Sequence, residues 1–319
     1  MRALVLSGGS IKGAYEAGAI LSVVEAGFCP DAVLGISTGA LSAAFLVNAV
    51  GLKTDQPPTS LQWVEAASEF VDFYRNRLSS PELVVKQKSW LAIAWNLLWN
   101  RFDGVLDTAP LHRLIRETLE EDALRRARVQ LRVGAVDMGS GQIKYVGADN
   151  QDIVAFVRAS CAEPLVMPSV RIGGADYYDG GIRDLVPVGT AINLGATEIV
   201  VVVCQPRALD REVFPRGHVV AMANRLVDVV TNEIVVNDLR SVERVNQVVR
   251  AGDSLRMFGR QYAPIEWRLV EPSSEIKVDI RTFTRADIER MIEQGREMGR
   301  QAMEGPWHTG AALKRRNDV

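Results

Sequence analysis

A chain of 319 residues with 47% apolar and 24% charged residues has the make-up of an ordinary soluble globular protein, not of a disordered or fibrous one. Its formal net charge of −2 gives no electrostatic ground for a nucleic-acid partner, and none is expected. Cys29, Cys161 and Cys204 are too far apart for a disulfide framework or a metal site, so a cytoplasmic, reducing setting and no metal or other cofactor are expected.

The N-terminus runs straight into glycines. It is too short for a signal-peptide core and reads as a first buried strand, Leu4-Val5-Leu6. Ser7-Gly8-Gly9-Ser10-Ile11-Lys12-Gly13 reads as a flexible loop and residues 14–26 as a helix closed by Gly27. The apolar run Ala32-Val33-Leu34 then enters Gly35-Ile36-Ser37-Thr38-Gly39, and the small residues Ala40, Ala43 and Ala44 continue it as a helix. A buried strand turning sharply into a helix through Gly-x-Ser-x-Gly is the setting of a nucleophile elbow. The serine is exposed at the turn, the positive end of the helix dipole lies beneath it, and Gly35 and Gly39 leave room for backbone. The order strand, loop, helix, strand implies an α/β fold of three layers, helices on both faces of a mainly parallel sheet. It places the glycine loop and Ser37 at the same carboxyl edge.

Residues 51–60, polar and proline-bearing, read as a loop, and 61–77 as a helix. Trp90, Trp95 and Trp99 then crowd into residues 89–100, where helical spacing puts Leu91, Trp95, Leu98 and Trp99 on one face. Such stripes are usually core, and core packing is the expectation. The alternative is a mobile lid or an interfacial segment at a membrane surface. No apolar stretch reaches the roughly 20 residues of a membrane span.

Residues 129–136 and 142–146 flank Asp137-Met138-Gly139-Ser140-Gly141, a hairpin signal. Residues 153–160 read as a helix, Tyr177-Tyr178 as a strand end leading into Asp179-Gly180-Gly181, and 197–203 as a buried parallel strand, with Cys204 in the core. A long helix is expected over 219–250. A last one opens with the capping box Thr284-Arg285-Ala286-Asp287 and carries Ile288, Met291, Ile292 and Met298 inward. No repeat or linker interrupts the chain. One domain is expected over 1–305 and a flexible tail over 306–319.

An attacking serine needs a base within hydrogen-bond reach. His112, His218 and His308 all stand in unpromising contexts, a helix start, a loop end and the terminus. Asp179, after a strand and before two glycines that let backbone approach, is the better candidate, although a glycine-flanked aspartate is often a plain turn residue. The tetrahedral intermediate needs amides aimed at its oxyanion, and Gly8, Gly9 and Ser10 at a helix N-terminus can supply them. Lys12 adds positive charge or anchors the loop. Nucleotide binding is disfavoured. Lys12 precedes Gly13-Ala14 where a phosphate loop needs Lys-Ser/Thr, and no G-x-G-x-x-G is present.

Together these residues resemble the patatin-like phospholipase family, from Leu4 to about Glu304. Gly8-Gly9-Ser10-Ile11-Lys12-Gly13 resembles its glycine-rich oxyanion motif, Gly35-Ile36-Ser37-Thr38-Gly39 its elbow, Ala159-Ser160-Cys161-Ala162-Glu163-Pro164 its Ala-Ser-x-Ala-x-Pro block, and Asp179-Gly180-Gly181 its Asp-Gly-Gly. The resemblance implies a Ser37–Asp179 dyad without histidine and calcium-independent hydrolysis of lipid acyl esters, with phospholipids or related lipids as substrate; peripheral contact with a membrane surface is left open. It leaves the oligomeric state open. Two positions depart from the pattern. Ser10 replaces a third glycine, and Asp184 stands where the family often has Asn, which would put an extra carboxylate near the site. The alternatives are an acyltransferase of the malonyl-transacylase type, disfavoured because Ile36 stands where those enzymes carry histidine, and a non-catalytic membrane- or partner-binding module.

Overall fold

In the computed structural model, residues 1–99, 101–211, 213–214, 216–250, 256–257, 260–261 and 263–309 are described. The main sheet has eight strands: β1 (Arg2–Leu6), β2 (Ala32–Ile36), β3 (Gln130–Asp137), β4 (Ile143–Val146), β5 (Val170–Ile172), β6 (Ala175–Asp179), β7 (Glu198–Val202) and β8 (Glu266–Val270). Their order is β8-β7-β1-β2-β3-β6-β5, with β4 paired to β3. From β8 through β3 every neighbour is parallel, while β4, β5 and β6 run antiparallel to their partners.

Alternation along the central strands produces the three layers. Leu4 and Leu6 pack on one face with helices α1 (Gly13–Glu25), α2 (Thr38–Lys53), α3 (Ser60–Arg77) and, through Ile288, Met291 and Ile292, the C-terminal helix (Arg285–Glu304). Ala3, Val5 and Leu34 pack on the other against the helices Val188–Leu194 and Val219–Arg250. Central strands covered on both faces have no polar alternation to show, which is why they read as continuous apolar runs. The C-terminal helix lies close against α1 because Gly295 and Gly18 face each other's backbone. A Cβ on Gly295 would stand 1.9 Å from the Tyr15 carbonyl, and one on Gly18 2.0 Å from that of Ile292.

Three expectations need correcting. The loop expected over 51–60 is shorter, because α2 runs through Gly51 to Lys53, where the missing side chain admits the Ala123 carbonyl. The tail expected from residue 306 begins too early: Trp307 packs against Phe28, and His308 exchanges both backbone hydrogen bonds with Trp267 of β8. Residues 310–319 lie outside the described residues. The tryptophan stripe is not core. It forms α4 (Trp90–Leu98), and no residue of α4 is buried. The expected hairpin, the helix Ile153–Ser160 and the Thr284 capping box are all present. No described helix is long and apolar enough to cross a membrane.

Candidate active site

Strand β3 brings Ser37 and Asp179 together. One of its edges is taken by β4, which pairs with Val133 to Val136. The other edge holds β2 up to the pair Ile36–Gly134 and then, from Ala135–Asp179 onward, β6. The end of β2 and the end of β6 therefore abut head to head, and the residues that leave them are Ser37 and Asp179.

Ser37 occupies φ 57°, ψ −129°, a region that costs a non-glycine residue about 1–3 kcal/mol and persists only when the surroundings impose it. They impose it from both sides. The Ser37 N–H donates to Ser160 Oγ at 2.9 Å, Ser160 Oγ donates to the Gly134 carbonyl at 2.6 Å, and Cys161 Sγ reaches the Ser37 carbonyl at 3.2 Å. A Cβ on Gly39 would lie 2.5 Å from the carbonyls of Leu6 and Ser7, and one on Gly35 1.9 Å from that of Gly39, so the turn closes only with these glycines. Ser37 is also the N-cap of α2, at the positive end of that helix.

The Ser37 side chain faces the carboxylate of Asp179 and favours its charged form. Asp179 is buried, caps the 3-10 turn Gly180–Ile182 and accepts from the Gly181 N–H at 2.8 Å. Burial pushes its carboxyl up to about 7; the Ser37 side chain and the Gly181 N–H pull the other way, and the nearby Glu163 carboxylate adds to the rise. Gly180 is required because it passes beside the Gly134 carbonyl, 2.8 Å from where its Cβ would be.

The glycine loop arrives at the same point. A Cβ on Gly8 would lie 2.6 Å from Ser37 Cβ and 3.2 Å from Ser37 Oγ, so Gly8 presents bare backbone to the nucleophile position. Among the described residues the N–H groups of Gly8 and Gly9 have no acceptor, while the flanking Ser7 and Lys12 N–H groups bond to Val202 and Gly9. Gly9 sits over Cys204, whose Cβ would be 2.4 Å from an added methyl. Ser10 adopts φ 55°, the left-handed conformation a third glycine would take without strain. Lys12 anchors the loop through its backbone, and Gly13 opens α1 against the Tyr74 hydroxyl, 1.9 Å from its would-be Cβ.

A cleft opens over Ser37, walled by apolar side chains including Leu41, Leu78, Val84, Leu111, Met167 and Ile280. Thr38 Oγ1 and the buried Tyr74 hydroxyl, 3.2 Å apart, meet along it. Behind the loop, Glu16 is wholly buried, receives the Ser42 hydroxyl at 2.5 Å, and has its carboxyl pushed up to about 8 by burial.

None of the three histidines contacts Ser37 or Asp179 among the described residues. His112 lies against Arg158, Nη2 to Nδ1 3.3 Å, and burial together with that guanidinium lowers its pKa to about 4. His308 is bridged to β8 at the far end of the sheet, and His218 is exposed. Asp184 does not face the cleft. It accepts the Tyr145 hydroxyl at 2.5 Å and shares a hydrogen bond with Asp238, whose Oδ2 also holds the N–H groups of Leu185 and Val186, both at 3.0 Å. Burial and the Asp184 charge push the Asp238 carboxyl up. The pair works through Leu185, whose Cδ1 fills the space beside both Gly8 and Gly181, 2.7 Å from either missing Cβ. Reading motifs alone missed Ser160 as the tie beneath the elbow and Asp238 as the anchor of Leu185. The first had a signal in the Ala-Ser-x-Ala-x-Pro block; the second, a lone acid inside a long helix, had none.

A serine on a strained strand-to-helix turn, set against a buried aspartate, with bare amides beside it and an apolar cleft above, is the apparatus of an acyl-transferring hydrolase. Residues 4–192 match the patatin-like phospholipase family, and the chain belongs to that family, a class of lipid acyl hydrolases. An uncharacterized protein of Bacillus subtilis (strain 168), YqhO, is 26% identical over 227 residues, 65% of this chain and 72% of that one. Among solved structures, VipD from Legionella pneumophila aligns over 95% of this chain and 66% of its own, slightly under two thirds, at 18% identity and a TM-score of 0.44.

Proposed function

We propose that the protein cleaves acyl esters of phospholipids or related lipids, with Ser37 as nucleophile and Asp179 as its base. Ser37 Oγ attacks the ester carbonyl carbon as its proton passes to the Asp179 carboxylate, and the oxyanion takes hydrogen bonds from the N–H groups of Gly8, Gly9 and Ser10. When the intermediate collapses, the ester C–O bond breaks and Asp179 returns the proton to the departing alkoxide oxygen. A water molecule then attacks the acyl-serine, Asp179 again taking a proton. The acid leaves and the Ser37 hydroxyl is restored.

The observation that carries this reading is the meeting of the elbow serine with a buried aspartate, where two strand ends abut at the floor of an apolar cleft. A base whose carboxyl sits at about 7 is matched to work near neutrality. The cleft wall suits an acyl chain rather than a sugar or peptide. The three unpaired cysteines fit a cytoplasmic location.

The test is product analysis with purified wild-type and Ser37→Ala protein, on short-chain esters and on phospholipids. Free fatty acid and the deacylated alcohol are expected from wild type only. Transfer to an added acceptor without free acid would instead identify a transferase. A folded wild-type protein inert on every acyl ester would refute catalysis.

A further inference from the structure

Residues 84–99 and 101–107 form a flap whose root is the wall of the cleft. Val84 and Met167 line the cleft, and the flap closes on itself where Lys86 and Gln87 pair antiparallel with Asp107 and Leu106. It is fastened to the cleft wall by the N–H groups of Val105 and Leu106, which both donate to the Val166 carbonyl, at 3.0 and 2.9 Å. Gly104, at φ 88°, makes this approach, because a Cβ there would meet the same carbonyl at 2.7 Å.

Helix α4 stands at the far end of the flap. Ser89 caps it, accepting from the Ala92 N–H at 3.3 Å. Trp90 is 74% exposed, Trp95 63%, Leu98 75% and Trp99 58%. The Trp95 and Trp99 rings lean on each other with centroids 5.7 Å apart. Leu165, at φ 67° and 75% exposed, stands out beside the flap root, two residues from the cleft-lining Met167.

From Trp90 to Trp99 there is no charged side chain, whereas three cations flank the helix in the chain, Lys86, Lys88 and Arg101, against two acids, Asp103, which pairs with Lys88 at 2.7 Å, and Asp107, opposite Lys86 in the ladder. An uncharged tip with indole rings, flanked by cations in the chain, has the chemistry of a headgroup layer in reverse. The apolar tip meets the acyl boundary, the indole N–H groups meet the glycerol and carbonyl level, and the cations meet phosphate.

We infer that α4 is a membrane-docking element. It inserts into the interfacial layer of a bilayer containing anionic phospholipid and holds the cleft over Ser37 against the lipid surface. The inference rests on the cleft being a lipid acyl site. A bilayer, rather than a second copy of the chain, is favoured because α4 is an exposed apolar tip flanked by Lys86, Lys88 and Arg101, and the root of the same flap lines the cleft from which an acyl chain would be taken.

The experiment uses Ser37→Ala protein, so that docking is read without catalysis, with and without Trp95→Ala and Trp99→Ala. Flotation with vesicles of phosphatidylcholine and phosphatidylglycerol is expected for the Ser37→Ala parent and to fall at least ~10-fold in the variant lacking both indoles. In an otherwise wild-type chain, the same pair should lower vesicle hydrolysis to a similar degree and leave a soluble short-chain ester within ~2-fold, with an unchanged melting temperature. Arg101→Glu should weaken binding to the anionic vesicles. Undiminished flotation of the Trp-to-Ala pair would overturn the inference even if hydrolysis is confirmed. So would a dimer in sedimentation that the pair dissolves, or an equal loss on both substrates with a fall in melting temperature.

Discussion

Around Ser37 the turn is held from more than one side, whereas the flap over residues 84–99 and 101–107 is fastened to the cleft wall at its root. The N–H of Ser37 is taken by Ser160 and its carbonyl by Cys161, and Gly8, Gly35 and Gly39 each sit where a single methyl would collide. The helix of the flap buries no side chain and is capped by its own Ser89. Strain at φ 57° survives in the first region because the surroundings over-determine it, and apolar exposure survives in the second because nothing covers it. Changes in the cradle should therefore act on chemistry through geometry, and changes in the flap should act on where the substrate comes from.

The sharpest break in this comparison is Ser37→Ala. The protein should remain folded, and hydrolysis of a soluble ester should fall by at least ~10³-fold, a loss of the nucleophile itself. Steady-state turnover beside a melting curve checks it.

Asp179→Asn should come next, with activity reduced by roughly 10²–10⁴-fold through loss of the base. The same variant should gain stability at alkaline pH. The folded carboxyl is raised from 3.8 to about 7, so its contribution is present in full below 3.8 and lost as pH rises through about 7. Asparagine carries no such loss. Its melting temperature should exceed wild type near pH ~8 and converge with it in acid. A stability deficit at both ends would show that Asp179 serves the fold and not the reaction.

A smaller effect is expected behind the cradle. Asp184→Asn keeps a donor toward Asp238 and removes one acid from the pair, so activity should stay within a few-fold at neutral pH. Asp238→Ala removes the acceptor that holds Leu185 against Gly8, and should lower kcat more than it changes KM. The ratio of the two constants in each variant separates positioning from binding.

The smallest effects sharpen the account by their absence. Replacing His112, His218 or His308 singly should spare most activity, and so should EDTA, because neither a histidine base nor a metal has a part in the proposed steps. A histidine as indispensable as Ser37, or a strict calcium requirement, would contradict the mechanism.

The cradle was legible in the sequence because close approach leaves glycine no substitute. Gly35, Gly39 and Gly180 recur wherever backbone passes backbone, and each motif marks such a crossing. The buried strands were legible too, from the apolar run at 197–203 and the glycine-bounded start of β2. The flap was misread because an apolar stripe at helical spacing looks the same whether protein or another phase covers it, and sequence does not say which. Val170–Ile172, 3 residues long, and the edge strand β8, 5 residues long, are too short for their alternation to stand out. Asp238 lay hidden because its partners are the backbone amides of Leu185 and Val186, distant in sequence and unmarked by residue type.

The most direct test of the Ser37–Asp179 unit is the rate of covalent labelling by a fluorophosphonate, followed by mass spectrometry of the modified peptide, across pH in wild type and Asp179→Asn. The account predicts a single adduct on Ser37, a wild-type rate that climbs through about pH 7 as Asp179 ionises, and a slow, flat profile in the variant. An adduct on another residue, or a rate and pH profile that Asp179→Asn leaves unchanged, would contradict it.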